Sequence, residues 1–201
     1  MKKYRVNEIF YSIQGEGHNT GRAALFVRMS GCNLKCPFCD TDHHPSVDMT
    51  ANEICEEAVR QTGGTEGILV VLTGGEPTLQ VDEPLVEALH SAIPHCEIAI
   101  ETYGTHPVAK GIDWITLSPK NLFVSSADII LLKADELKVV FDGIHPIPSY
   151  DKIDCHCRYV QPCDTGDDTR NADIINQTID FVKHNPQWTI SLQTHKFLQV
   201  K

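Results

Sequence analysis

The sequence predicts an α/β fold built on a parallel sheet. Strand-length apolar runs recur along the chain, amphipathic helical segments lie between several of them, and the most reactive motifs fall just after strand-like runs. In folds of this kind, sites gather at the carboxyl ends of the strands. The 201 residues suit a single domain over 1–201, with no internal repeat, low-complexity segment or Gly/Ser linker to divide it.

Strands are expected at Val6–Ser12, Ala24–Met29, Gly67–Thr73, Glu97–Glu101, Trp114–Leu117, Ile129–Lys133, Leu137–Phe141, Arg158–Gln161 and Trp188–Gln193. Several are β-branched apolar runs of the type buried on both faces of a parallel sheet. A first helix starts at Thr50-Ala51-Asn52-Glu53, a capping box, with Ile54, Ala58 and Val59 as its apolar face. A second is capped by Asp82 and runs through His90, with Leu85, Val86 and Leu89 on one side. A third covers about Asn171 to Lys183, with Ile174, Ile175, Ile179 and Val182 facing inward, and Pro186 ends it.

Composition narrows the function classes. A formal net charge of -10 argues against a direct nucleic-acid binder, which should be basic. It still allows a small anion held by a few arginines and lysines. The apolar runs Gly67–Leu72 and Ile129–Leu132 are too short to span a bilayer, so no membrane role is expected. The opening MKKYRVNEIF lacks an apolar signal segment. Eight cysteines in that context point to a reduced, cytoplasmic compartment and to metal or thiol chemistry rather than a disulfide framework.

The run Gly31–Asp40 holds Cys32, Cys36 and Cys39 at spacing C-x3-C-x2-C. A structural zinc site closes its shell with four ligands, and a cubane iron–sulfur cluster usually takes four thiolates. Three thiolates leave one iron open to a small molecule. The rival is a zinc knuckle completed by His43, His44 or Cys55. A second metal site from Cys155, Cys157 and Cys163 is disfavoured, because C-x-C spacing is poor for a cubane and a strand separates the pair from Cys163. Thr73-Gly74-Gly75-Glu76-Pro77 follows the apolar run 68–72. Its paired glycines let a ligand approach the backbone, and Glu76 could accept from a ligand ammonium.

Together the two motifs resemble the radical S-adenosylmethionine superfamily. Further segments narrow the match: Gln14-Gly15-Glu16-Gly17, Arg28, Cys39-Asp40-Thr41-Asp42, Ser118-Pro119-Lys120, Glu136-Leu137-Lys138-Val139-Val140, Gln161-Pro162 and Gln193-Thr194-His195-Lys196. In this order, over nearly the whole chain, they resemble the 7-carboxy-7-deazaguanine synthases of queuosine and deazapurine biosynthesis. The resemblance implies a partial (β/α) barrel of the radical S-adenosylmethionine type, since about 200 residues cannot supply eight βα units. It implies conversion of 6-carboxy-5,6,7,8-tetrahydropterin to 7-carboxy-7-deazaguanine with loss of ammonia. A [4Fe-4S] cluster, S-adenosylmethionine and Mg2+ would serve as cofactors.

The resemblance also assigns residues. Cys32, Cys36 and Cys39 ligate the cluster, and the hydroxyl oxygen of Thr41 meets Mg2+. Phe38, Cys39 and Asp40 pack on S-adenosylmethionine, and Gly75 meets it. Ser118, Pro119 and Lys120, with Gln161, Pro162, Cys163 and Asp164, hold its other parts. Ile13, Gln14 and Gly15 line the pterin site, Arg28 binds the pterin carboxylate, and Thr73 and the final carboxylate of Lys201 reach the substrate. No side chain is expected to act as a catalytic acid or base, because the cofactor carries the radical chemistry. His195 is given no role. A homodimer and a flavodoxin or ferredoxin electron donor are the expected partners. The alternatives are another radical enzyme, such as a glycyl-radical activase, and an electron-transfer or zinc module.

Overall fold

The computed structural model describes residues 1–39, 41–42 and 46–201. The strands are β1 (Tyr4–Ile13), β2 (Ala23–Met29), β3 (Val47–Met49), β4 (Leu69–Gly74), β5 (Glu97–Thr102), β6 (Trp114–Leu117), β7 (Glu136–Phe141), β8 (Cys157–Pro162) and β9 (Thr189–Ile190). The helices are α1 (Ala51–Thr62), α2 (Glu83–Ala92), α3 (Asp168–His184) and α4 (Thr194–Leu198), with a 3-10 turn at Pro77–Leu79. Among the described residues the strands form one open sheet in the order β3-β1-β2-β4-β5-β6-β7-β8-β9. From β2 to β9 every pairing is parallel; β1 is antiparallel to β2 and β3. This is the expected open, partial (β/α) barrel.

Strand alternation sorts the two faces. Leu25, Val27, Val70, Leu72, Ile98 and Ile100 point outward and pack with Ile54, Ala58, Leu85 and Leu89 of α1 and α2. Phe26, Val71 and Ala99 point inward and make a small apolar plug with Phe10 and Trp114. One step further along the same inner rows stand Arg28, Thr73 and Glu101, so the plug becomes the floor of a polar cleft.

The helix signals have direct causes. Thr50 Oγ1 accepts from the Glu53 N–H and the Glu53 carboxylate accepts from the Thr50 N–H, closing the capping box of α1. Gly63 ends α1 in a left-handed conformation, φ +59°. Asp82 caps α2 through the Leu85 N–H, and Asp167 caps α3.

Four expectations need correction. Ile129–Lys133 is not a strand. It is an extended strap whose Ile130 and Leu131 N–H groups donate to the Gly104 carbonyl. Ile129 and Leu131 pack on the outer apolar cluster of β6 to β8, while Ile130 and Leu132 are exposed. The continuous apolar run Ile129–Leu132 therefore mimicked a strand. Val59 and Ile179 face outward; Cys55 joins Ile54 and Ala58 in the core, and Thr178 takes the inward place in α3 by donating to the Ile174 carbonyl. The last strand is only Thr189–Ile190, at the sheet edge. Finally, β3 and α4 carried no pattern strong enough to be read.

Candidate active site

The register of β2 against β4 builds the site. Met29 lies opposite Gly74, so the cysteine loop leaving β2 and the glycine turn leaving β4 emerge side by side. The Gly75 N–H donates to the Met29 carbonyl at 3.2 Å, and the Glu76 N–H donates to the Gly31 carbonyl at 3.0 Å. A β-carbon on Gly75 would overlap the Gly31 carbonyl oxygen and one on Gly74 would overlap Met29, so both positions require glycine. Gly74 also has φ +135°. Glu76 is fully buried. Its Oε1 accepts from the Thr78 N–H and from Thr102 Oγ1 (2.7 Å), and its Oε2 from the Tyr103 N–H. The carboxylate ties the turn to the end of β5 and also lines the cleft.

All three loop cysteines are free thiols and line one cleft of about 390 Å3 above the inner plug. Among the described residues, no three His, Cys, Asp or Glu groups converge closely enough to hold a single metal ion. A cubane asks for no such convergence, because each thiolate meets a different corner. Leu34, Tyr103, Ala127 and Val124 pack beside Cys32 and Cys36, giving the apolar surround in which burial pushes both thiols up. The donor set and its setting fit an iron–sulfur cluster. His43 and His44, offered for a zinc site, and Asp40, expected at the cofactor, lie outside the described residues. Cys55 packs in the core against α2, away from the loop. Cys157 starts β8 and its thiol donates to the Asp135 carbonyl, whereas Cys163 follows the far end of that strand and lines the cleft.

The opposite wall is made of strand side chains. Arg28 Nε donates to Glu8 at 2.9 Å, and the same carboxylate takes Lys201 Nζ. Two cations thus share one anion at the cleft edge, which suits a ligand carboxylate. Lys201 also enters through its backbone, its carbonyl accepting from Ser12 Oγ at 2.7 Å. Thr73 Oγ1 and Gln14 Nε2 both donate to Glu101, each at 3.2 Å. Lys120 donates to the carbonyl and hydroxyl of Ser118, and burial lowers its ammonium to about 8.

The family model described as the Radical SAM superfamily matches residues 26–124. The 7-carboxy-7-deazaguanine synthase of Bacteroides thetaiotaomicron is 41% identical over 197 residues, covering 98% of each chain. That of Burkholderia multivorans is 41% identical over 216 residues, covering 98% of this chain and 99% of the relative. The chain belongs to the 7-carboxy-7-deazaguanine synthase family. The crystal structure of QueE from Escherichia coli shares the fold, with TM-score 0.72 at 24% identity over 95% of this chain and 94% of that one.

Seen as a member of that family, the chain brings nearly every anticipated residue to the cleft: Ile13, Gln14 and Gly15; Arg28 and Thr73; the three cysteines with Phe38 and Thr41; Gly75; Ser118 and Lys120; 161–164; and Lys201. Among the described residues Pro119 is the exception, lying between two lining residues without lining the cleft itself. The sequence reading missed Glu16, Glu101, Lys138 and Gln193, and left His195 without a place. His195 packs so tightly on Gly15 that a β-carbon there would overlap its ring. The signal was present in part, since Glu16, Lys138, Gln193 and His195 sit inside quoted motifs. Glu101 had none, because its position depends on strand pairing.

Proposed function

We infer that the chain is a 7-carboxy-7-deazaguanine synthase, converting 6-carboxy-5,6,7,8-tetrahydropterin to 7-carboxy-7-deazaguanine with loss of ammonia, a step of queuosine and other deazapurine biosynthesis. One observation carries the reading: a single cleft joins the three-cysteine loop and the glycine turn to a wall whose cations share Glu8. The cluster and S-adenosylmethionine, when bound, supply the radical that abstracts hydrogen from the pterin.

The protein's own residues bind, orient and exclude water. Cys32, Cys36 and Cys39 hold the cluster at the loop side. Gly75, Phe38 and Asp40, with Ser118, Pro119, Lys120 and 161–164, seat S-adenosylmethionine. Arg28 receives the pterin carboxylate through a planar fork that fixes its angle, and the final carboxylate of Lys201 reaches the substrate separately. Ile13, Gln14, Gly15 and Thr73 bracket the ring. Thr41 contributes one oxygen to Mg2+, an ion that takes hard ligands and keeps much of its water. Residues 1–201 act as one catalytic domain, working as a homodimer in the cytoplasm with a flavodoxin or ferredoxin as reductant and no direct contact with nucleic acid or membrane. No helix among the described residues is long and apolar enough to cross a membrane.

The test is anaerobic. Reconstituted protein receives reductant, S-adenosylmethionine, Mg2+ and 6-carboxytetrahydropterin, and products are followed by mass spectrometry. Formation of 7-carboxy-7-deazaguanine is expected. Formation of 5′-deoxyadenosine alone would replace the substrate while keeping the radical chemistry, and neither product from cluster-loaded protein would return the chain to the electron carriers.

A further inference from the structure

Lys138 is a buried ammonium at the side of the cleft, with only 5% of the residue exposed. Its Nζ lies 2.6 Å from Glu16 and 3.5 Å from Glu101. Each carboxylate is also held from a second direction. Glu16 Oε1 accepts from Gln193 Nε2 at 2.9 Å, and Glu101 Oε2 accepts from Thr73 Oγ1 at 3.2 Å. Both carboxylates line the cleft. Glu136, two residues before Lys138 on the same strand face, lies below them, outside the cleft lining. Its Oε2 accepts from the His18 N–H, and burial pushes its carboxyl up, toward the neutral form. Among the described residues, the ion pairs of the ammonium within 4 Å are with the two cleft-facing carboxylates. Burying a lysine is costly without such partners, and a salt bridge alone would not need to face a cavity.

We propose that Lys138 is a positioning residue for the substrate: its ammonium keeps Glu16 and Glu101 as a fixed pair of acceptors for the N–H-rich edge of the pterin ring. This rests on the function proposed above. A pterin carries a ring N–H beside an exocyclic amino group, and hydrogen bonds from such donors to ionised carboxylates are the strong, directional kind. Without the lysine, two like charges would share the cleft. One would take up a proton and turn from acceptor to donor on that oxygen.

The experiment compares wild type, Lys138→Met, Glu101→Gln and the double variant for cluster absorbance, 5′-deoxyadenosine formation, and kcat and KM for 6-carboxytetrahydropterin. Lys138→Met is expected to keep its cluster and raise KM by about tenfold or more, the scale of one lost charge-assisted contact. In the Glu101→Gln background the same change should cost less than about threefold, because the residue it acts through is already altered. An unchanged KM, or losses that simply multiply in the double variant, would overturn the proposal. Should Lys138→Met fail to fold, Glu101→Gln against the charge-balanced double variant decides it alone: a further tenfold loss, to about that size, refutes the coupling. Wild-type turnover separates the two ideas, since absence of product from wild type defeats the function reading, whereas product with unmoved variant KM values defeats only this inference.

Discussion

The two walls of the cleft are built by different means. One wall is loop: a cysteine run and a glycine turn fastened by backbone hydrogen bonds between residues 29, 31, 75 and 76. The facing wall is strand: Arg28, Thr73, Glu101 and Lys138 project from four parallel strands on one pleated face. A loop wall can be specified by local sequence. A strand wall exists only when register is right. The difference predicts that variants on one wall should abolish the chemistry, while those on the other should spoil its aim.

The largest effect is expected on the loop side. Cys36→Ala should lose the cluster and all turnover, and activity retained with a full cluster spectrum would remove Cys36 from the ligand set. Arg28→Lys should act on the other wall only. It keeps the charge but loses the planar fork, so KM for the pterin should rise by about tenfold while the cluster remains and 5′-deoxyadenosine still forms. An unmoved KM would take Arg28 away from the carboxylate.

A smaller effect concerns the charge cluster on the strand wall. Burial pushes the Glu16 carboxyl up, but the Lys138 ammonium and hydrogen bonds outweigh it and hold the group at about 2, against an ordinary 4.5. Because the folded value is the depressed one, this stabilisation is complete above about pH 4.5 and fades as pH falls toward 2. The Tm gap between wild type and Glu16→Gln should accordingly narrow through that window. A gap constant from pH 6 to pH 2.5 would show that Glu16 does not titrate with folding. The smallest effect lies on neither wall. Thr50→Ala breaks the capping box of α1 and should cost about 1 kcal/mol of stability with kcat and KM untouched. A change in KM there would mean that α1 transmits to the cleft.

The same division explains what could be read from the sequence. The loop wall was legible because cysteine spacing and paired glycines carry their meaning in consecutive residues. So were β2, β4 and the capped helices α1 and α2, where apolar runs and capping residues agree. The strap 129–133 was misread because Ile129–Leu132 is an unbroken, strand-length apolar run, although the Ile130 and Leu131 N–H groups bond to one carbonyl of a loop. Glu101 and Lys138 were not legible as a pair. They lie 37 positions apart by number (138 − 101) on strands separated by β6, and only the sheet order brings them to 3.5 Å. Ile179 shows the remaining limit: periodicity named an apolar face of α3, but a threonine able to satisfy its own hydroxyl took the buried place.

The pairing of β2 with β4 also has a consequence for how damage to this protein would be noticed. The ladder that packs Val27 and Leu72 into the core is the ruler that spaces the cysteine loop from the strand wall. A core substitution that shifts one strand by a fraction of an ångström leaves every functional side chain in place chemically. What it alters is the distance over which a radical must find its hydrogen. Such a variant would be detected as wasted cofactor, more 5′-deoxyadenosine released per molecule of product, before any loss of folded protein is seen.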